Sequence, residues 1–153
     1  MKVLHLSDFV LKDFLPYQLA VLAGRISAEF ADLYRDKFDI SVPEWRVVAH
    51  LSTDKKISVR EIFHRVDMDK SKVSRAADRL VARGYVIKRQ NPRDKRLIEL
   101  SLTAKGRDML NEIGDIAARY QAGVLTGMAP ETARQFELGL RSLLERTNVD
   151  NAV

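Results

Sequence analysis

The run Asp69-Lys-Ser-Lys-Val-Ser-Arg75, continuing to Gly84, sets cations and hydroxyls at helical spacing. Lys and Arg neutralise phosphates, and Ser and Arg donate hydrogen bonds to base edges. At about 100° per residue, Val73, Ala76, Ala77, Leu80 and Gly84 share one small apolar side, and Ser71, Arg75, Asp78 and Ala82 face the other way. Lys70 opens the first turn, Ser74 flanks the outer face on one side, and Lys72 and Arg79 flank it on the other. Asp69 is placed to cap this helix, and Gly84 sits where a left-handed C-terminal residue is wanted. A solvated amphipathic helix has a similar composition, so the surroundings must decide.

The period changes after Gly84. Tyr85–Arg89 and Arg96–Leu102 read as two strands around Gln90-Asn-Pro-Arg-Asp-Lys95, a turn with a proline and cations. Two strands around a basic loop, directly after such a helix, make a wing whose tip, Arg93 and Lys95, can enter a minor groove.

Other elements must hold helix and wing. Ser41-Val-Pro-Glu44 and Ser58-Val-Arg-Glu61 both match the capping box and start helices over about 42–53 and 59–66, separated by a polar turn with Asp54, Lys55 and Lys56. The second joins the 69–83 helix through only Asp67 and Met68, which is helix-turn-helix spacing. Upstream, Leu11, Phe14, Leu15, Leu19, Leu22, Ile26, Phe30 and Leu33 mark a long helix from about Ser7 to Lys37, bent or restarted at Pro16. Downstream, Thr103 caps a helix to about Thr126, with Leu110, Ile113, Ile116, Ala117, Tyr120 and Val124 inside. Gly127 ends it, and Pro130 starts a last helix striped by Ala133, Phe136, Leu140, Leu143 and Leu144, with residues 148–153 frayed. The long terminal helices carry more apolar surface than one small domain uses, so a second helix or a second chain covers it.

Charge is segregated along the chain. Residues 41–106 hold 16 Lys or Arg against 8 Asp or Glu, a net of +8, whereas the remainder holds 10 against 13, a net of −3. That is the footprint of a polyanion-binding module on a scaffold that does not touch the polyanion. A membrane-surface helix would need a large apolar face with exposed aromatics, where this one has mostly Ala and Val. The absence of Cys excludes disulfides, thiolate metal sites and thiol redox sensing. No apolar run of membrane-spanning length occurs, and the opening stretch is unlike a secretion signal, so a cytoplasmic protein is expected.

The chain resembles the MarR family of bacterial winged-helix regulators. Four pieces carry the resemblance: Ser41-Val-Pro-Glu-Trp-Arg-Val-Val-Ala-His-Leu51, Met68-Asp-Lys-Ser-Lys-Val-Ser-Arg75, the Leu80…Arg83-Gly-Tyr-Val86 junction, and Asn91-Pro-Arg-Asp-Lys-Arg96 leading into Leu100-Ser-Leu-Thr-Ala-Lys-Gly106. The family's wing signature is matched by Asp94, Arg96, Leu102, Thr103 and Gly106. The resemblance implies a mainly α fold with a small β-hairpin wing. Its parts are an N-terminal dimerisation helix (1–40), a winged helix-turn-helix (41–102) and C-terminal dimerisation helices (103–153). It implies a homodimer on a pseudo-palindromic DNA operator with half-sites about 10 bp apart, acting as a repressor. Carried over by position, Ser71, Lys72, Ser74 and Arg75 reach bases and phosphates, Arg79 meets phosphate, and Asp94 orients Arg96, since a carboxylate facing phosphate is repelled.

Family members often respond to small aromatic or phenolic acids. Tyr17, Arg25, Trp45, Arg46 and His50 are candidates for such a pocket, an aromatic wall with a cation for the carboxylate. His5, His50 and His64 are scattered, so no metal or other cofactor is expected. No phosphate loop, nucleophile elbow or His-Glu-x-x-His is present, and an enzyme is not expected. The competing reading is a winged helix that binds protein instead of DNA.

Overall fold

The computed structural model describes residues 9–53, 56–66 and 68–147. His5, the helix start expected at Ser7, Asp54 and Lys55 of the polar turn, Asp67, and the frayed end at 148–153 lie outside the described residues. Among the described residues six α-helices and three short strands follow one another: α1 (Leu15–Phe38), α2 (Val42–Thr53), β1 (Ile57–Ser58), α3 (Val59–Arg65), α4 (Lys70–Ala82), β2 (Val86–Gln90), β3 (Ile98–Leu102), α5 (Ala104–Thr126) and α6 (Pro130–Thr147).

Local chemistry fixes most of the boundaries. Pro16 lies in the first turn of α1, preceded by a 3-10 turn at Leu11–Asp13, so the proline begins a helix afresh and does not bend one. At the other end Asp39 adopts φ 51°, a left-handed conformation uncommon outside glycine. In α3 the capping box is complete: Ser58 Oγ accepts the Glu61 N–H at 3.1 Å, and Glu61 Oε2 accepts the Ser58 N–H at 2.9 Å. Loss of such a cap costs about 1 kcal/mol. Gly84 follows α4 with φ 77°, the left-handed residue its position required.

The helix-turn-helix core is one cluster. Val47, Val48 and Leu51 of α2, Ile62 of α3, and Val73, Ala76, Ala77 and Leu80 of α4 are buried together with Tyr34 of α1 and Ile113 of α5. The alanines let α4 lie close to its neighbours, so its inner side is short and its outer side is presented whole.

The sheet is antiparallel in the order β1-β3-β2. Val86 pairs with Leu102, Lys88 with Leu100 and Gln90 with Ile98. The pairing of Ile57 with Leu100 is not legible in sequence, because a two-residue strand carries no period. Thr103 caps α5, its Oγ1 accepting the Gly106 N–H at 3.0 Å while donating to the Gly84 carbonyl at 2.6 Å.

The chain divides into two compact units, residues 1–114 and 115–153. In the first, α1 buries only Ala31 and Tyr34, both near its C-terminal end, while Leu15, Leu19 and Leu22 are exposed. In the second, α6 has no buried residue, and Phe136, Leu140 and Leu144 are exposed. No helix among the described residues is long and apolar enough to cross a membrane.

Candidate nucleic-acid interface

Lys70, Ser71, Lys72 and Arg75 are exposed on α4, and Ser74 is half-buried beside them. Asp69 caps the helix, its Oδ1 accepting the Lys72 N–H at 2.8 Å and the Ser71 hydroxyl at 2.9 Å. Lys72 Nζ stands 3.7 Å from the other carboxylate oxygen. The Lys72 N–H, and then the Ser71 hydroxyl, hold the Asp69 carboxyl below its ordinary range. One carboxylate therefore fixes the helix start and also holds two side chains of the candidate interface. Both are exposed, and rotation about their side-chain bonds releases them.

The wing is braced from inside. Asn91 Oδ1 accepts the N–H groups of Arg93 at 2.8 Å and Asp94 at 3.0 Å, an Asx-type turn. Asp94 Oδ1 accepts the Arg96 backbone N–H at 3.0 Å and its Nε–H at 3.1 Å, and Oδ2 accepts from the guanidinium end at 3.4 Å. The Arg96 guanidinium is the main reason the Asp94 carboxyl lies below its usual range. Arg96 is nevertheless 90% exposed, so it is oriented without being withdrawn from solvent. Arg93 and Lys95 are exposed at the tip.

Between α3, α4 and the wing lies a cleft of about 640 Å³ into which Arg60, Lys70, Ser74, Lys88 and Arg96 project, with Asp94 as its acid. Arg60 and Lys88 are the members sequence reasoning missed. Lys88 ion-pairs with Asp78 of α4 and ties the wing to that helix. The available signal for Lys88 was its place two residues after Val86, on the same face of the strand; nothing in the first turn of α3 set Arg60 apart.

Arg79 lies elsewhere. Its Nε stands 3.1 Å from Oε1 of Glu44, a carboxylate that is 2% exposed at the start of α2. Glu44 Oε1 has no hydrogen bond, so this contact is ionic attraction with the N–H turned off line.

The five effector candidates are not brought together in one chain. Trp45 is half-buried, with its ring centroid 5.6 Å from Phe30 and 5.8 Å from Tyr34. Arg46 and His50 are half-buried on the same helix. Tyr17 and Arg25 are exposed on α1, and Tyr17 precedes Tyr34 by about 25 Å of helix axis, so it cannot share a pocket with Trp45 of its own chain. Neither described cleft is lined by any of the five. The second, about 610 Å³, lies between the end of α2, β3 and α5, where Ser52, Thr53, Ser101 and Asn111 surround Arg107.

A family model described as the MarR family matches residues 38–97, from the end of α1 into the wing loop. The HTH-type transcriptional regulator SarZ of Staphylococcus epidermidis is 26% identical over 112 residues, 71% of this chain and 76% of SarZ. Among solved structures, the MarR family transcriptional regulator SPO1453 of Silicibacter pomeroyi is 28% identical with a TM-score of 0.79, covering 92% of this chain and 99% of that one. Two more share the fold at 20% identity. A point mutant of Escherichia coli MarR complexed with operator DNA has a TM-score of 0.75, covering 89% of this chain and 99% of that one. Bordetella bronchiseptica BpsR, whose DNA binding is regulated by 6-hydroxynicotinic acid, has a TM-score of 0.76, covering 92% and 97%.

Proposed function

We propose, from the premise that this chain belongs to the MarR family of winged-helix transcriptional regulators, that it represses transcription as a homodimer on a pseudo-palindromic operator. The observation that carries this reading is the joint geometry of α4 and wing. Lys70, Ser71, Lys72, Ser74 and Arg75 line one helix face sized for a major groove. Arg93, Lys95 and the braced Arg96 are exposed on the wing, which supports its entry into a neighbouring groove. Operator binding by MarR of the same fold supports duplex DNA as the partner.

Dimerisation is supported by the exposed Leu15, Leu19 and Leu22 of α1 and by Phe136, Leu140 and Leu144 of α6. A second copy covers them, and two-fold symmetry of the protein then imposes the symmetry of the operator.

The effector of this reading is a small aromatic acid. Trp45, Arg46 and His50 supply a ring and cationic or hydrogen-bonding groups on α2, Arg25 adds a cation from α1, and Tyr17 comes from the second copy, since the length of α1 excludes that of the same chain. Regulation of BpsR by a hydroxylated pyridine carboxylate supports this ligand class.

The test is fluorescence anisotropy on duplex DNA from upstream of the protein's own gene against scrambled duplex, across a salt series. A preference of about a thousandfold or more, relieved by aromatic acids, is the expected result. Equal, steeply salt-dependent binding to both duplexes would mean a general DNA binder, and no binding at low salt would favour a protein-binding winged helix.

A further inference from the structure

We infer that Glu44 is a positioning residue for DNA recognition: one buried carboxylate on α2 sets the roll of α4 about its own axis, through Arg79 and Arg83. The inference rests on the reading of α4 as the operator-reading helix.

Glu44 Oε2 accepts the Ser41 N–H at 2.5 Å, which uses the carboxylate as the reciprocal half of a capping box. Its burial exceeds what a cap needs. A buried carboxylate must be matched by positive charge, and two cations supply it from one helix. Arg79 Nε lies 3.1 Å from Oε1, and Arg83 Nη1 lies 3.6 Å from Oε2. Arg83 also reaches back to α1, with Nη2 3.1 Å from Asp39 Oδ2 and Nη1 donating to the Asp39 carbonyl. That carbonyl belongs to the left-handed residue that ends α1.

Arg79 and Arg83 are four residues apart, so they emerge on nearly the same side of α4 and straddle the carboxylate. The same four-residue row runs back through Arg75 to Ser71, the residues offered to DNA. Roll of a helix is shared along its length. A roll of about 20° at a side-chain radius of about 5–6 Å moves a donor by about 2 Å. Hydrogen bonds to base edges do not survive that displacement, whereas attraction to phosphates largely does. Glu44 therefore acts on specificity more than on general affinity. Arg79, although its side chain is 57% exposed, acts through its contact with Glu44 and not on phosphate.

The experiment compares wild type, Glu44→Gln, Arg79→Gln and the double variant by anisotropy on operator and scrambled duplex over a salt series, with a thermal melt for each. The Glu44→Gln side chain retains an oxygen for the Ser41 N–H but loses the charge that holds the two arginines. The expected result is operator affinity down roughly ten- to hundredfold in Glu44→Gln with scrambled-duplex affinity within about twofold of wild type. Arg79→Gln keeps the wild-type salt slope, and the double variant is no weaker than the weaker single, because both break one contact. Two results overturn the inference: unchanged operator affinity in Glu44→Gln, or a salt slope lowered by about one in Arg79→Gln with losses that add. Should Glu44→Gln fail to fold, the salt slope of Arg79→Gln alone decides. Wild type that does not distinguish the duplexes would sink the operator reading instead, a separate and recognisable outcome.

Discussion

Asp94 Oδ1 accepts both the backbone N–H and the Nε–H of Arg96, at 3.0 and 3.1 Å, so the only acid in the wing loop is committed to its neighbouring cation. If the loop meets DNA as proposed, removing a negative charge from it would by simple electrostatics strengthen DNA binding. The geometry gives the opposite sign, because freeing Arg96 adds conformational entropy that binding must then remove. Asp94→Ala is expected to weaken operator affinity about three- to tenfold, in a titration at fixed salt. A gain in affinity would show that charge, not orientation, governs this residue.

The lowered pKa values of Asp69 and Asp94 set a pH expectation. In each case hydrogen bonds favour the ionised carboxylate in the folded chain, so any contribution is present above the unfolded value and is lost only as pH falls through the lowered folded value. DNA affinity between pH 7 and about pH 5 is therefore expected to show no transition from either group. A midpoint in that range that vanishes in Asp94→Asn would contradict the bracing of Arg96.

Arg75 and Arg96 are expected to be the costliest single losses for operator binding, one on the exposed helix face and one on the wing. Each change to Ala should weaken binding by about 1–3 kcal/mol, and the pair should abolish it at physiological salt. Dimerisation should persist, since neither side chain lies on the apolar faces of α1 or α6. Sedimentation of the double variant beside its DNA titration checks both halves.

Leu22→Glu tests the dimer reading. Leu22 is 41% exposed in one chain, so the substitution leaves the helix-turn-helix core untouched. A charge at that position in a chain-to-chain interface would shift the protein towards monomer and take operator affinity with it. A variant that stays dimeric would move the interface off this face of α1.

What can be read along the sequence is short in range. The Ser58–Glu61 capping box, the Asp69 cap and Gly84 each act within a few residues, so spacing alone reveals them. The Val73–Leu80 stripe is equally legible because its period is that of one helix. Relationships across the fold are not. Ile57 finds Leu100 only once β3 exists, and Glu44 finds Arg79 only once α2 lies against α4. Sequence alone therefore makes Arg79 a phosphate contact, from its place on a cationic face. Met109, buried beside Ile113, lies just outside the stripe that the sequence marks from Leu110 onward. Tyr17 and Trp45 group by chemistry, and the length of α1 separates them.

Gly106 shows how tightly the start of α5 is seated. A Cβ there would lie 2.1 Å from the Tyr85 carbonyl oxygen, which itself accepts the Thr103 N–H at 3.0 Å. The obstacle is backbone, so no side-chain rotation relieves it. Gly106→Ala is expected to cost at least about 1–3 kcal/mol, against the slight gain that alanine gives in an open helix. A melting temperature at or above wild type would show that α5 can lift from the 83–85 turn without penalty.

Tyr34 supplies the converse case. Its side chain is fully buried, and its hydroxyl has no hydrogen-bond partner among the described residues. Burial pushes the phenol up to about 12, ahead of the opposing pull of Arg35 and Arg46. A raised value means stability fully present below the unfolded value near 10 and lost as pH climbs from there through about 12. Tyr34→Phe keeps the ring against Phe30 and Trp45 and removes an unsatisfied hydroxyl whose burial costs about 1–3 kcal/mol. Denaturant unfolding of the variant at pH 7 should match or exceed wild type, and the part of the alkaline loss between about pH 10 and 12 that comes from this phenol should disappear. A clear destabilisation at pH 7 would mean that the hydroxyl holds a buried water or a group from another molecule.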